Sequence, residues 1–185
     1  MANFALSPLR NLHTAFHIGF SFLFLIAFLS AGVFIISMST KKTLEEAIAD
    51  DIVWQQVKDL SIPGDKLEKL IGEIERVKAK TRKSPPCEQY TLIAIEEGIY
   101  PCFKNGSVYL KAGEIWKIGK TCGGSKERYA SGYPDKRLRY QPEFFGSEEQ
   151  CLIVEKAKIY AYFESAENQK REIPLNLPPG NKIYR

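Results

Sequence analysis

The sequence has few of the side chains that hold zinc or cross-link a small secreted domain. Its 185 residues include four cysteines and two histidines, and no two cysteines form a Cys-x-x-Cys pair. The cysteines are separated by 15, 20 and 29 positions, at Cys87, Cys102, Cys122 and Cys151. This spacing argues against a zinc ribbon and against a dense disulfide framework. Isolated thiols of this kind fit a reducing compartment.

Charged residues are nearly absent from positions 1–40, where Arg10 is the only one. Residues 18–38 form an uncharged run of 21 residues rich in Phe, Leu and Ile, behind a short segment, residues 1–17. A helix of this length is about 31 Å long and matches the hydrocarbon core of a bilayer. A cleaved signal peptide is the competing interpretation, but it has a shorter apolar region and a small-x-small cleavage site. We therefore expect residues 18–38 to be an uncleaved single-pass transmembrane anchor.

The charges beside this anchor predict its orientation. Arg10 precedes it and Lys41 and Lys42 follow it, which favours a cytoplasmic C-terminal domain. His13 and His17 are four residues apart, a spacing that metal ligands also use. With no third ligand nearby in the sequence, we interpret both histidines as membrane-interface residues.

Two helices are predicted after the anchor, over residues 42–60 and 65–80. Each carries a stripe of Leu, Ile and Val at helical spacing, and Pro63-Gly64 separates them. Two interpretations of this helical stalk, residues 42–80, stay open. It packs on itself as a hairpin, or it is a dimerisation element that makes the protein a homodimer. Residues 81–87 are predicted to be a linker, since they include Ser-Pro-Pro.

The last segment, residues 88–185, predicts a small α+β domain with a central, mainly antiparallel sheet flanked by helices. A buried strand is expected from Gln89 to Ile95, and a loop from Glu96 to Ser107. Two short strands are expected to turn over Lys111-Ala112-Gly113, with a glycine-rich loop and a helix after them. Ile115 and Lys117 are expected on one face of the second strand, and Trp116 and Ile118 on the other.

The end of the domain is predicted to contain a helix and, after it, an extended C-terminal segment. Ser147 and Gln150 form a capping box for a helix that runs to about Phe163. Residues 173–185 contain Pro and Gly without a helical period, and should wrap around the domain.

Basic charge is concentrated in this domain. Residues 102–145 hold nine basic and four acidic side chains, whereas residues 41–77 hold six basic and nine acidic ones. A basic module behind an acidic stalk suits a polyanionic partner such as DNA. The segment from Tyr133 to Gly146 also carries aromatic residues, and we expect it to follow the DNA backbone with little base readout. The predicted nucleic-acid-binding residues are Lys120, Lys136, Arg137, Arg139 and Tyr140.

Three polar residues stand out as candidates for chemistry. Glu155 shares a helix face with Leu152 and Ile159, where a carboxylate is either an edge residue or directed into a site. Arg128 follows the glycine-rich loop, where a guanidinium can reach a phosphate. Lys117 lies within an apolar strand and faces either solvent or a pocket.

In this order along the chain, the residues resemble the GIY-YIG endonuclease superfamily. The similarity is greatest to its bacterial and phage-associated branch, whose second motif reads Lys-Ile-Gly-x-Thr. Here residues 117–121 read Lys-Ile-Gly-Lys-Thr, Arg128 occupies the family's Arg position, and Glu155 the position of its metal-binding Glu. Asn181, in the closing Leu-Pro-Pro-Gly-Asn-Lys, occupies the position of the family's Asn. The resemblance covers residues 88–185.

The first motif of that family has two candidate positions. A literal Gly98-Ile99-Tyr100 is present, but Pro101 follows it and should interrupt a strand. We therefore expect the motif tyrosine to be Tyr90 or Tyr109. Lys117 stands where the family's second motif has a tyrosine.

The resemblance implies a metal-dependent hydrolase that cuts DNA phosphodiester bonds. Glu155 would bind Mg²⁺ or Mn²⁺, Arg128 would neutralise phosphoryl charge, and a tyrosine would position the attacking water. The implied catalytic residues are Tyr90, Tyr109, Lys117, Gly119, Arg128, Glu155 and Asn181. Two alternatives remain: a membrane-tethered DNA-binding protein without catalysis, and a membrane scaffold whose stalk oligomerises.

Overall fold

Three helices open the described part of the chain. The computed structural model describes residues 42–80 and 85–184, all within one unit, residues 42–185. The helices are α1 (Leu44–Ile48), α2 (Asp51–Val57) and α3 (Gly64–Lys80). The single helix predicted over residues 42–60 is wrong, because Ala49 ends α1 in a left-handed conformation, with φ at 47°. Asp50 then caps α2 by accepting a hydrogen bond from the Val53 N–H at 3.0 Å.

Five strands and three further helices follow. They are β1 (Cys87–Ala94), β2 (Gly98–Cys102), β3 (Gly106–Leu110), β4 (Ile115–Thr121), α4 (Gly124–Arg128), β5 (Leu138–Gly146), α5 (Glu148–Ala161) and α6 (Ala166–Gln169), with a 3-10 turn at Tyr162–Glu164. Strands β4, β1 and β5, in that order, form an antiparallel sheet, and β2 and β3 form a separate hairpin. The predicted α+β fold with a mainly antiparallel sheet flanked by helices is confirmed.

The predicted hairpin over Lys111-Ala112-Gly113 is wrong, although the turn itself exists. Strand β3 pairs with β2, and β4 pairs with β1. In the turn between β3 and β4, the Gly113 N–H donates to the carbonyl of Ala94, the last residue of β1, at 2.7 Å. The loop predicted from Glu96 to Ser107 therefore contains a strand. Pro101 lies within it, since a strand of a two-stranded hairpin has an open side where no N–H is needed.

The face alternation predicted for β4 is also wrong, because the strand contains a bulge. Leu92 pairs with Lys117 while the next residue, Ile93, pairs with Ile115, which leaves Trp116 as an extra residue. As a result Trp116 packs in one apolar cluster with Tyr90 and Leu110, whereas Ile118 packs in another with Ile159 and Leu177. The bulge thus turns the two large apolar residues of β4 into opposite cores.

The apolar stripes of the first three helices are buried within this chain. One cluster joins residues of α1, α2 and α3 to residues of β1, β5 and α5, namely Ala47, Ile48, Val53, Val57, Leu70, Ile74, Val77, Cys87, Phe144, Cys151, Ile153, Val154, Ala157 and Tyr160. The structure therefore differs from the predicted separate stalk, since the stripes cover α5 rather than only each other. A homodimer through these helices stays a prediction, and it would have to use other faces.

The capping box at the start of α5 is confirmed. Ser147 Oγ accepts from the Gln150 N–H at 3.2 Å, and Gln150 Oε1 accepts from the Ser147 N–H at 2.9 Å. The helix ends at Ala161, close to the predicted Phe163. The closing segment is ordered against the hairpin and β4, because the Phe103 N–H donates to the Pro179 carbonyl and the Gly180 N–H to the Trp116 carbonyl.

Two cysteines that the sequence suggested were isolated lie opposite each other, Cys87 at the start of β1 and Cys122 directly after β4. Glu88 pairs with Thr121, so Cys87 and Cys122 form the next cross-strand pair, and a disulfide joins them. The expectation of four isolated thiols is therefore wrong. Cys102 and Cys151 are free and buried, and burial raises the pKa of the Cys151 thiol to about 11.

None of the helices in the described ranges is long and apolar enough to cross a bilayer. The predicted anchor at residues 18–38, the flanking Arg10, His13 and His17, and residues 81–84 of the predicted linker all lie outside those ranges.

Candidate active site

A cavity of about 430 Å³ opens along the free edge of β4. Strand β4 is an outer strand of the sheet, so one side of its backbone has no neighbouring strand to hydrogen-bond with. The cavity is lined by Phe103, Lys117, Gly119, Lys120, Arg128, Leu152, Glu155, Asn181, Lys182 and Ile183. Six of the predicted site residues are therefore brought together: Lys117, Gly119, Lys120, Arg128, Glu155 and Asn181.

Asn181 completes the open edge of β4 with its side-chain amide. The Ile118 N–H donates to Asn181 Oδ1 at 3.0 Å, and Asn181 Nδ2 donates to the Ile118 carbonyl at 2.9 Å. The amide thus satisfies the edge backbone as a neighbouring strand would. Gly180 allows this position, because a Cβ there would lie 2.5 Å from the Trp116 ring. Asn181 accordingly has a structural function here.

Position 119 has no room for a side chain, because the ring of Tyr90 lies against it. Tyr90 lies opposite Gly119 across the β1–β4 pair, and a Cβ on Gly119 would lie 2.6 Å from Tyr90 Oη. Tyr90 is fully buried, with its ring stacked on Tyr140 at a centroid distance of 4.4 Å. Its hydroxyl lies 2.8 Å from the hydroxyl of Tyr129. Tyr90 therefore packs behind the cavity wall and is not one of the cavity-lining residues.

Arg128 extends from the last residue of α4 into the cavity beside these tyrosines. A hydrogen bond to Tyr90, with a smaller contribution from Tyr129, raises the pKa of the Arg128 guanidinium above its ordinary value. Burial, together with the neighbouring Tyr90, raises the pKa of the Tyr129 hydroxyl. Tyr129 is thus a neutral hydrogen-bonding group, and together with Tyr90 it holds the Arg128 cation at the cavity.

Glu155 and Lys117 enter the cavity from different elements. Glu155 is 8% exposed on α5, so the interpretation of this carboxylate as a solvated edge residue is wrong. Lys117 is half-buried on β4 and lines the same cavity. Within the described ranges, no group of three or more His, Cys, Asp and Glu side chains could hold a metal ion together. A single carboxylate still suits Mg²⁺, which keeps several waters and takes other ligands from phosphate.

Several predicted residues lie away from the cavity. Tyr109 is 50% exposed on β3 and is not among the lining residues. Tyr100, from the literal Gly-Ile-Tyr, is buried in the hairpin core, where its hydroxyl donates to the Glu96 carbonyl at 2.6 Å. Lys136 and Arg139 are exposed on the surface.

Three predicted DNA-binding residues are engaged within the chain. Arg137 bonds to Asp135 Oδ2 at 2.6 Å and lies over the Tyr100 ring at 4.3 Å. Tyr140 donates to Glu88 Oε1 at 2.6 Å. Lys120, which does line the cavity, forms an ion pair with Glu148. Of the predicted set, Lys136 and Arg139 are the two exposed cations.

Three residues of the site were missed from the sequence. Tyr129 is adjacent to Arg128, and its position beside a candidate residue was the only available signal. Phe103 and Lys182 carry no local signal, because they meet only where the hairpin contacts the closing segment. There the Phe103 N–H donates to the Pro179 carbonyl at 3.0 Å, and Lys182 Nζ lies 4.7 Å from the Phe103 ring centroid.

Comparison with known proteins finds no match to this chain: no family model, no curated protein and no solved structure. The chemistry therefore has to follow from the side chains themselves. The lining residues described above include four cations, Lys117, Lys120, Arg128 and Lys182, and one carboxylate, Glu155. Such a cavity suits an anionic ligand with a site for one divalent ion.

Proposed function

We propose that this chain is a membrane-anchored, metal-dependent endonuclease of the GIY-YIG type that hydrolyses DNA phosphodiester bonds. The observation that carries the proposal is the convergence of Lys117, Arg128 and Glu155 on one cavity. They come from a strand, a short helix and a long helix, and the sequence resemblance had assigned all three to one site. A phosphodiester is an anion whose cleavage builds up further negative charge, which cations in a partly enclosed cavity stabilise.

Each residue has a distinct part in the proposed reaction. Arg128, held by Tyr90 and Tyr129, neutralises charge on the phosphoryl oxygens as the attacking water adds. Lys117 contacts a non-bridging phosphate oxygen. Because Tyr90 is fully buried, its proposed role is to position Arg128 rather than to touch the water. Asn181 and Gly119 shape the cavity edge.

The proposed metal site is Glu155. Its carboxylate would hold Mg²⁺ or Mn²⁺ with waters and substrate oxygens as the other ligands, in keeping with the donors that these ions prefer. When bound, the ion supplies Lewis-acid stabilisation of the phosphate. Glu155 is 8% exposed, so bulk water screens its carboxylate only weakly and a divalent ion in the cavity would interact with it strongly.

The test of this proposal is plasmid cleavage by the full chain purified in a mild detergent. Glu155→Gln keeps the side-chain volume and removes the charge, so we expect Mg²⁺-dependent cleavage to fall by about 100-fold or more. DNA binding without divalent ions should persist, because a negative charge has been removed. Glu149→Gln, on the same helix but outside the cavity, is the matched control. Equal cleavage by Glu155→Gln and the wild-type chain would refute the metal assignment.

A DNA-binding protein without catalysis is the second candidate. It is favoured by one observation: both candidate motif tyrosines, Tyr90 and Tyr109, lie outside the cavity lining. The same plasmid assay separates the two functions. Salt-sensitive binding with no cleavage in Mg²⁺ or Mn²⁺ selects the second candidate.

The proposed anchor and its orientation need a separate test. The flanking charges favour a cytoplasmic C-terminal domain, whereas the Cys87–Cys122 disulfide is typical of an oxidising compartment. The natural cysteines are poor reporters, since they are bonded or buried. We therefore suggest Ser107→Cys, at an exposed position of the hairpin, with a membrane-impermeant maleimide.

The proposed orientation predicts that this variant is labelled only after the membrane is permeabilised. Labelling in intact cells would reverse the orientation and agree with the disulfide. The wild-type chain, treated in parallel, measures the background from Cys102 and Cys151.

A further inference from the structure

An aromatic ring lies at the rim of the cavity. Phe103 is 55% exposed at the turn between β2 and β3 and lines the same cavity as Arg128 and Glu155. Single exposed apolar residues are common on proteins, so exposure alone is not informative. Phe145, for example, is 66% exposed and is not among the cavity residues. What distinguishes Phe103 is a water-accessible ring beside a cluster of cations.

The ring is held in place from several sides. Its backbone N–H donates to the Pro179 carbonyl at 3.0 Å, and its centroid lies 6.4 Å from that of Trp116, a buried residue. Lys182 Nζ lies 4.7 Å from the ring centroid. A ring that is already ordered loses little conformational entropy when a ligand stacks on it. Because Lys182 lies over the ring, a base would stack on the part of the ring that stays exposed while the ammonium contacts the adjacent phosphate.

These features match the chemistry of one nucleotide of a DNA strand. Cations hold the phosphate, and an exposed aromatic ring stacks with a base, an interaction that tolerates every base because each has a π-face. The bases of a continuous duplex are stacked on one another and are not free to stack on a protein ring. A ring at this position is therefore useful only when the nucleotide next to the bound phosphate is unpaired.

We propose that Phe103 and Lys182 form a stacking platform, and that the substrate class is DNA with unpaired nucleotides beside the phosphate that is cut. This inference rests on the proposed function, and it narrows the substrate to single-stranded, flapped or bubble-containing DNA. The basic residues of the cavity bind the backbone in any DNA, whereas the platform adds affinity only for an unpaired base.

The test compares two labelled oligonucleotide substrates of the same sequence, a continuous duplex and one with a short central bubble. Dissociation constants of the full chain are measured without divalent ions, so that binding is separated from cleavage. We expect the wild-type chain to bind the bubble more tightly. Phe103→Ala should weaken bubble binding by roughly tenfold, as expected for loss of one stacked base, and leave duplex binding unchanged.

Phe103→Trp, which keeps an aromatic ring, should retain the bubble preference. Ile99→Ala is the matched control, because it removes a 66% exposed apolar side chain of the same hairpin outside the cavity and should change neither dissociation constant. Equal weakening of both substrates by Phe103→Ala, or an equal effect of Ile99→Ala, would overturn the platform.

Cleavage of the same substrates in Mg²⁺ separates the two proposals. Cleavage that requires Glu155 but shows no bubble preference and no effect of Phe103→Ala supports the nuclease and overturns the platform. Bubble-specific loss of binding in Phe103→Ala, with no cleavage of either substrate, supports the platform and overturns the nuclease.

Discussion

Helix α5 carries charged residues in two opposite settings. Lys158 lines a second cavity, of about 380 Å³, but belongs to a hydrogen-bond network there, in which its Nζ donates to Glu143 Oε2 at 2.8 Å and to Gln89 Oε1 at 2.9 Å. Glu143 also accepts from Thr91 Oγ1 at 3.0 Å. Glu155, one turn earlier on the helix, instead lines the candidate active site, where the lining contains four cations and one carboxylate.

The difference between the two regions concerns how the charge is balanced. In the Lys158 network a single cation meets a single carboxylate, and neutral side chains complete the hydrogen bonds. Such a network stabilises the fold and needs no ligand. At the cavity four cations face two carboxylates, Glu155 and the Glu148 that pairs with Lys120, and this excess of positive charge suits a bound polyanion. Substitutions in the network should therefore change stability, and substitutions in the cavity should change activity.

Among the variants that test this difference between cavity and network, Arg128→Ala should have the largest effect. We expect the cleavage rate to fall by about 100- to 1,000-fold, because the cation that faces the developing phosphoryl charge is lost. The slope of log binding constant against log salt should also fall by about one. The melting temperature should stay close to that of the wild-type chain, since Arg128 is an exposed residue at a helix end.

Arg139→Ala is the matched control for Arg128. Arg139 is an exposed arginine on β5 outside the cavity, so its loss should weaken DNA binding modestly and leave the maximal cleavage rate unchanged. An equal loss of rate in both variants would mean that the cavity has no special role.

A smaller effect, on stability rather than on cleavage, is expected from Glu143→Ala. The change leaves Lys158, Gln89 and Thr91 without a shared acceptor, and should reduce the free energy of unfolding by about 2 kcal/mol. Urea denaturation of the full chain in detergent measures this loss. Cleavage at a temperature where the variant is folded should match that of the wild-type chain.

Glu172→Ala, at an exposed carboxylate, should have no measurable effect on unfolding and serves as its control. If Glu143→Ala left stability unchanged but impaired cleavage, the network would take part in the reaction, and the distinction between network and cavity would be wrong.

The features predicted correctly from the sequence depend on residues close together in the chain. The start of α5 follows from Ser147 and Gln150, three positions apart, which bond each other's backbone. The helix predicted over residues 65–80, which is α3 in the structure, follows from its apolar period and the break at Pro63-Gly64. In both cases the information lies within one or two turns of helix.

The features predicted wrongly depend on partners that are distant in sequence. Strand β3 pairs with β2 rather than β4, and the bulge at Trp116 moves Ile118 into another core. The Cys87–Cys122 disulfide joins residues 35 positions apart. None of these has a local signal, because strand partners are selected by packing across the whole sheet.

The candidate site likewise combines features that the sequence predicted with features that depend on distant partners. The sequence alone was enough to nominate Lys117, Arg128 and Glu155, since each residue type stands at a motif-like position on a predicted element. Only the tertiary structure decided that Asn181 completes the edge of β4, that Tyr90 packs behind Gly119, and that Phe103 meets Lys182 at the rim. The physical reason is that a side chain's chemistry is set by its residue type, whereas its burial and partners are set by elements brought together on folding.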